Sequence, residues 1–309
     1  MAGARCAKIV GSFATFLGML SCAQAATSSI EPDRPKVCSS CEEWNAPHEP
    51  FRIFGNTYYV GVAGLSSVLI ASKEALILLD AALPQSAPLI AANIRKLGFR
   101  VEDIRLIVNT HTHYDHAGGI AALQRASGAT VAASPGSARA LEQGEPAQED
   151  PLYAFGRTIT WFPAVPNVRV VQDKEVLRAG QLAITAHFTP GHTPGGTTWT
   201  WRSCEDKRCV DVVYADSLNA VSAPGFRFTG DQTHAGRVEE FSRSITVVAE
   251  LPCDVLISPH PELFDLKSKL QMRQDQPEAN PFIDPQACKA YATKARQRLE
   301  KRIAEERKP

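Results

Sequence analysis

A layered α/β fold is predicted for this chain, and three observations predict it. Short apolar runs suited to buried strands alternate with amphipathic helical stretches in βαβ order. Glycine, proline and capping residues fall between those stretches rather than inside them. Five of the eight histidines sit in three short loops, each directly after a strand-like run, the position where rigid sheets usually present functional groups.

The elements follow in order. "TYYVG" and "SVLIA" read as strands joined through Gly61 and Gly64, and "ALILLD" as a buried strand. "SAPLIAANIRKLGF" is predicted helical, with Leu89, Ile90, Ile94 and Leu97 on one face, Ser86 as N-cap and Gly98 as stop. "DIRLIVNT" is the next strand, "GGIAALQRASG" a helix and "ATVAAS" a strand. Residues 144–167, rich in proline and charge, read as loops. "QLAITAHF", "TTWTW" and "VDVVYA" are later strands, and the alternation of Trp199 and Trp201 points to core packing. Residues 237–251 form an amphipathic helix leading into the strand "DVLIS". A charged helix with the stripe Ala295, Leu299 and Ile303 closes the chain. No short repeat or low-complexity tract interrupts the pattern.

The first residues read as an export leader. Arg5 and Lys8 precede an apolar run from Ile9 to Leu20, and "AQA" at 23–25 is a small-x-small cleavage signal, which makes 1–25 a signal peptide and 26–309 one domain. That run is shorter than the ~20 residues of a membrane span, so the expectation is a periplasmic protein without stable membrane association. Cleavage removes two basic residues and leaves 31 basic against 33 acidic, a charge of −2. A chain with no basic excess is a poor partner for nucleic acid. A small-molecule substrate and a monomer are expected instead. Six cysteines remain, an even number that reads as disulfides in an exported chain. Cys204 and Cys209 flank a polar turn, and Cys253 with Cys288 can tie the C-terminal segment to the body. Cys38-x-x-Cys41 is also read as a bridge, with a zinc or redox pair as the alternative.

The chemistry concentrates in "HTHYDH", which carries His111, His113, Asp115 and His116. Alternate residues of an extended segment point the same way, so His111 and His113 can reach one metal while Asp115 and His116 turn toward another. Imidazoles with one carboxylate suit zinc. "TPGHTPGG" holds His192 between two Pro-Gly steps, and "SPHPE" places His260 between prolines. His111, His113 and His192 make one three-ligand set; Asp115, His116 and His260 make a second. Each leaves a fourth position open, as catalytic zinc sites do. Two such ions can share a hydroxide whose pKa is pulled toward neutrality. Asp80, ending an apolar strand, can orient a metal-binding histidine or cap the turn before Pro84. Structural roles are expected for His48, His187 and His234.

H-x-H-x-D-H after a strand, a distal G-H-T-P-G-G and a late P-H-P together resemble the metallo-β-lactamases. The likeness covers nearly the whole mature chain, from "PFRIFGNTYYVG" to the cysteine-linked tail, and is greatest for the third subclass of class B, whose dizinc site is all His and Asp. The narrowing residue is Ser217 in "YADSLNAVSAPGFRF", where other subclasses place a zinc-binding cysteine. Cys253–Cys288 resembles the disulfide of that subclass. The resemblance implies a four-layer αββα sandwich holding two zinc ions. It implies hydrolysis of the β-lactam amide of penicillins, cephalosporins and carbapenems by a metal-bound hydroxide, and with it antibiotic resistance. Asp115 would orient the hydroxide and take its proton, and Ser217 and Asn219 would contact the substrate. Asp216 is similar to the bridging aspartate of glyoxalase-type thioesterases and lactonases of the same superfamily, so an exported lactonase or thioesterase is the alternative. A periplasmic zinc-binding protein without turnover is the alternative of another class.

Overall fold

The computed structural model describes residues 30–232 and 234–308, so the leader reading falls outside the described residues. Two sheets face each other. The first has seven strands in chain order: β1 (Phe51–Phe54), β2 (Thr57–Tyr59), β3 (Val68–Ala71), β4 (Leu76–Leu79), β5 (Ile104–Val108), β6 (Thr130–Ala133) and β7 (Arg169–Val170). β1 to β4 pair antiparallel, and β4 to β7 pair parallel through helices Ala87–Lys96, Ile120–Ser127 and Pro135–Gln143. The second sheet has five strands: β8 (Val176–Ala179), β9 (Leu182–Phe188), β10 (Thr197–Glu205), β11 (Arg208–Tyr214) and β12 (Val255–Ile257), in the spatial order β12-β11-β10-β9-β8. Helices Val238–Glu250 and Ala287–Glu306 cover its outer face.

Side chains on the first sheet divide by strand parity. Val68, Ile70, Ile77, Leu79, Leu106 and Val108 point inward to meet Trp199, Trp201 and Val212 of the second sheet. Leu69, Leu78, Ile107 and Val131 point outward against Ile90, Ile94, Ile120 and Leu123 of the helices. A strand covered on both faces needs apolar residues at every covered position, which is why "LILL" and "LIV" read as unbroken runs. The layers are helix, sheet, sheet, helix: the αββα sandwich.

Among the described residues there are three disulfides: Cys38–Cys41, Cys204–Cys209 and Cys253–Cys288. Cys204 and Cys209 are directly opposite in the β10–β11 hairpin, and Cys253–Cys288 fastens helix Ala287–Glu306 to the start of β12. Among the described residues, no helix is long and apolar enough to cross a membrane. One local expectation is corrected. Ser86 precedes helix Ala87–Lys96 but makes no side-chain cap. Its hydroxyl instead donates to Asn45 Oδ1 at 2.6 Å and accepts from Leu83 N–H at 3.2 Å, because a 3-10 turn over Pro84–Ser86 already leads into the helix.

Candidate metal centre

Four loops meet at one edge of the sandwich, following β5, β9, β11 and β12. The loop after β5 starts from an anchored point. Trp199, fully buried between the sheets, donates its indole N–H to Asn109 O at 3.0 Å. Asp80, also fully buried, accepts from Thr110 N–H at 2.7 Å, Thr110 Oγ1 at 2.8 Å and Tyr214 OH at 2.9 Å. Asp80 thus fixes the residue before His111 and touches no histidine. Burial pushes its carboxyl up to about 7, while the Thr110 and Tyr214 bonds act the other way. Beyond His113 the chain turns into one helical turn, Tyr114–Ala117. That change from extended to helical backbone carries Asp115 and His116 across to a second group.

Donor atoms of His111, His113 and His192 lie within 4.8 Å of one another, as do those of Asp115, His116 and His260. The two trios adjoin through His111 and His116, whose rings are 4.3 Å apart. In the first trio every ring is held by its other nitrogen. His111 Nδ1 donates to Asp216 Oδ1 at 2.7 Å, His113 Nε2 to Asp150 Oδ1 at 3.1 Å, and His192 Nδ1 to the Asn219 carbonyl at 2.8 Å. His111 Nε2 is left buried with no partner. In the second trio His116 Nε2 and His260 Nε2 are 3.2 Å apart, and Asp115 Oδ2 lies 3.3 Å and 3.4 Å from them. Donors about 2.0–2.2 Å from a tetrahedral zinc stand roughly 3.3–3.5 Å from each other. The second trio is close to that spacing. The donor set fits zinc.

Electrostatics prepare the same atoms. Burial holds the His111 ring well below the usual histidine range, with His116, His192 and His113 adding to the effect. Burial brings His116 down to about 4 and His192 to about 3, so both are neutral donors at pH 7. Burial would raise the Asp115 carboxyl, but the His116 and His260 rings hold it well below the usual carboxylate range. Burial would lower His113 and His260, yet Asp150 and Asp115 respectively raise them.

Other expected site residues fall as follows. Asp216 lies on the Nδ1 side of His111, outside both trios. Its Oδ2 is unpartnered and rests against Gly196, where a Cβ would stand 2.4 Å away, so the last glycine of "TPGHTPGG" makes room for a carboxylate. Ser217 is buried with its Oγ unpaired. Asn219 serves His192 through its backbone carbonyl. His187 bonds Thr200 Oγ1 at 2.9 Å on the second sheet, His48 packs on Tyr59 and His234 on Phe226.

Sequence reasoning missed Asp150, one acidic residue among several in a proline-rich stretch, and no local signal distinguishes it. It also missed Lys36. The Lys36 ammonium donates to Trp161 O at 3.0 Å and lies 4.6 Å from the Tyr114 ring and 4.7 Å from the Trp161 ring. Burial brings it down to about 8, with the Asp115 charge opposing.

A sandwich of this kind with two His/Asp trios on one edge defines a metallo-hydrolase. The model of the metallo-beta-lactamase superfamily matches residues 60–260, and the chain belongs to that superfamily. Within it the chain groups with subclass B3. It is similar to the Rm3 metallo-beta-lactamase, with 48% identity and a TM-score of 0.84 over 88% of this chain and 100% of that one. It is similar too to MEM-A1, a subclass B3 metallo-beta-lactamase isolated from a soil metagenome library, with 50% identity and a TM-score of 0.81 over 85% and 98% of the two chains. A more distant likeness is to the N-acyl homoserine lactonase AttM of Agrobacterium fabrum (strain C58 / ATCC 33970), 26% identical over 151 residues, which are 43% of this chain and 51% of that protein. The chain spans about half or less of the length of the first curated relatives it matches.

Proposed function

We propose that this protein is an exported zinc-dependent β-lactamase that opens the amide of penicillins, cephalosporins and carbapenems. The observation that carries the proposal is the pair of adjoining trios, each offering three donors and each built on the scaffold of B3 enzymes. His111, His113 and His192 would hold one zinc, and Asp115, His116 and His260 the other. Zinc at such sites polarises a carbonyl and lowers the pKa of water, making a nucleophile available near neutral pH.

The chain's own groups do the rest. Asp216, Asp150 and the Asn219 carbonyl fix the tautomers of the first trio, so each ring presents a lone pair inward. Asp115, held ionised, orients the attacking water and accepts its proton. Ser217 Oγ, buried without a partner, and the Asn219 side chain are the polar groups offered to the substrate carboxylate or amide. No protein nucleophile is needed, and the sequence carries neither S-x-x-K nor G-x-S-x-G. Three disulfides suit an oxidising compartment such as the periplasm. The lactonase or thioesterase reading needs Asp216 between the metals, and its contact with His111 Nδ1 supports the lactamase reading instead.

The test is turnover of nitrocefin and imipenem by the mature protein, with metal content measured before and after a chelator. Two zinc ions per chain and hydrolysis abolished by chelation are expected. Stoichiometric zinc with hydrolysis of a lactone or thioester but no lactam would reject the substrate assignment.

A further inference from the structure

The two trios differ in how their rings are secured. All three imidazoles of the first donate to an oxygen on the side away from the donor cluster. His116 Nδ1 has no hydrogen-bond partner, and His260 Nδ1 faces the Gly64 backbone without closing a hydrogen bond of the quality found in the first trio. His116 is fully buried, which confines it; His260 keeps 18% side-chain exposure. Glu262 Oε1, 3.8 Å from His260 Nδ1, is too distant to close a hydrogen bond. What stands against the ring is the indole of Trp44, with centroids 5.5 Å apart and planes inclined by 55°.

Trp44 belongs to an N-terminal strap that is tied down independently of the trios. It ends the single helical turn Cys41–Trp44, which the Cys38–Cys41 bridge closes at its start. Trp44 N–H donates to Ser40 O at 2.8 Å, and Trp44 O accepts from Gly64 N–H at 3.1 Å. A Cβ on Gly64 would stand 2.5 Å from Trp44 Cδ1 and 2.7 Å from its Cα, so residue 64 must be glycine for strap and loop to touch. Trp44 also borders an open cleft of about 690 Å³ reaching to helix Leu266–Asp275. With open space beside it, the indole depends on the strap to stay against His260.

We propose that Trp44 is a positioning residue for His260, so that the disulfide-closed strap governs how tightly the second trio holds its metal ion and leaves the first trio unaffected. An imidazole whose Nδ1 closes no well-formed hydrogen bond keeps more freedom to turn about its side-chain bonds. The indole removes that freedom by packing, where the first trio uses hydrogen bonds. The inference rests on reading both trios as metal sites.

The experiment is stepwise titration of the metal-free mature protein with Co²⁺ and Zn²⁺ against a chromophoric chelator. Wild type, Trp44→Ala, Trp44→Phe and Gly64→Ala are compared. Loss of a partner that orients a metal ligand typically weakens binding 10–100-fold, and Trp44→Ala should weaken the second step on the order of tenfold with the first unchanged. Trp44→Phe should restore most of the loss, and Gly64→Ala, which pushes the indole away but retains it, should reproduce it. The Co²⁺ absorption bands that appear in the second step should change shape in Trp44→Ala. Two equivalents bound as in wild type by Trp44→Ala, or equal weakening of both steps, overturns the proposal. A wild-type protein that takes up fewer than two ions overturns the metal-site reading itself.

Discussion

Asp216 offers the sharpest perturbation because the two functional readings assign it different work. Its carboxylate is fully buried and accepts from His111 Nδ1 at 2.7 Å. In Asp216→Ala that N–H is stranded in the interior, and an unsatisfied buried donor costs about 1–3 kcal/mol. At about 1.4 kcal/mol per decade this is roughly a 10–100-fold loss of metal affinity at the first trio. Asp216→Asn should lose less, because an amide oxygen can still accept from His111, and the unpartnered Oδ2 position beside Gly196 already accommodates an atom of that size. The assay is metal content after dialysis together with competition against a chromophoric chelator, read step by step. The reasoning is refuted if Asp216→Asn strips both ions together, as removal of a bridging ligand would, or if Asp216→Ala binds metal like wild type.

Three further outcomes follow from particular contacts. Asp150→Ala removes the partner of His113 Nε2; the His113 pKa, which burial lowers and Asp150 raises, should fall in an NMR titration of the metal-free protein, with first-step metal affinity weakened about tenfold. Replacing Cys253 and Cys288 by serine opens a cross-link spanning 35 residues, which should cost about 3–4 kcal/mol by the loop-entropy relation, seen as a lower denaturation midpoint in urea. Lys36 binds its proton more weakly in the folded chain, about 8 against the ordinary 10.5, chiefly through burial. The unfolded chain therefore carries more protons between those values, and this group makes stability rise with pH from about 8 toward 10.5. In Lys36→Met the slope of stability against pH in that window should flatten; an unchanged slope removes Lys36 as its source.

The layered α/β class and the six candidate donors were legible in the sequence for the same reason, since both rest on short-range pattern, whereas the αββα order of the layers came from the family resemblance. Apolar runs of strand length alternating with helical faces specify layers, and "HTHYDH", "GHTPGG" and "SPHPE" each place donors right after a strand. Edge strands were harder. β1, β7 and β8 are short and carry exposed or charged positions, so the cross-strand pairing that stabilises them leaves little local trace. The Ser86 cap failed because the 3-10 turn over Pro84–Ser86 directs its hydroxyl back to accept from Leu83 N–H, while Asn45, 41 residues away, takes its proton.

The sequence by itself thus determined which side chains are candidates to hold a metal, since residue type and loop position are local properties. Only the tertiary structure decided how each ring is aimed. His111 is held by a residue 105 positions later, His113 by one 37 later and His192 by a carbonyl 27 later, while His260 rests on a tryptophan from the other end of the chain. A ring's tautomer and orientation depend on what lies against its second face, and in this protein that neighbour arrives only when the two sheets and the N-terminal strap close around the site.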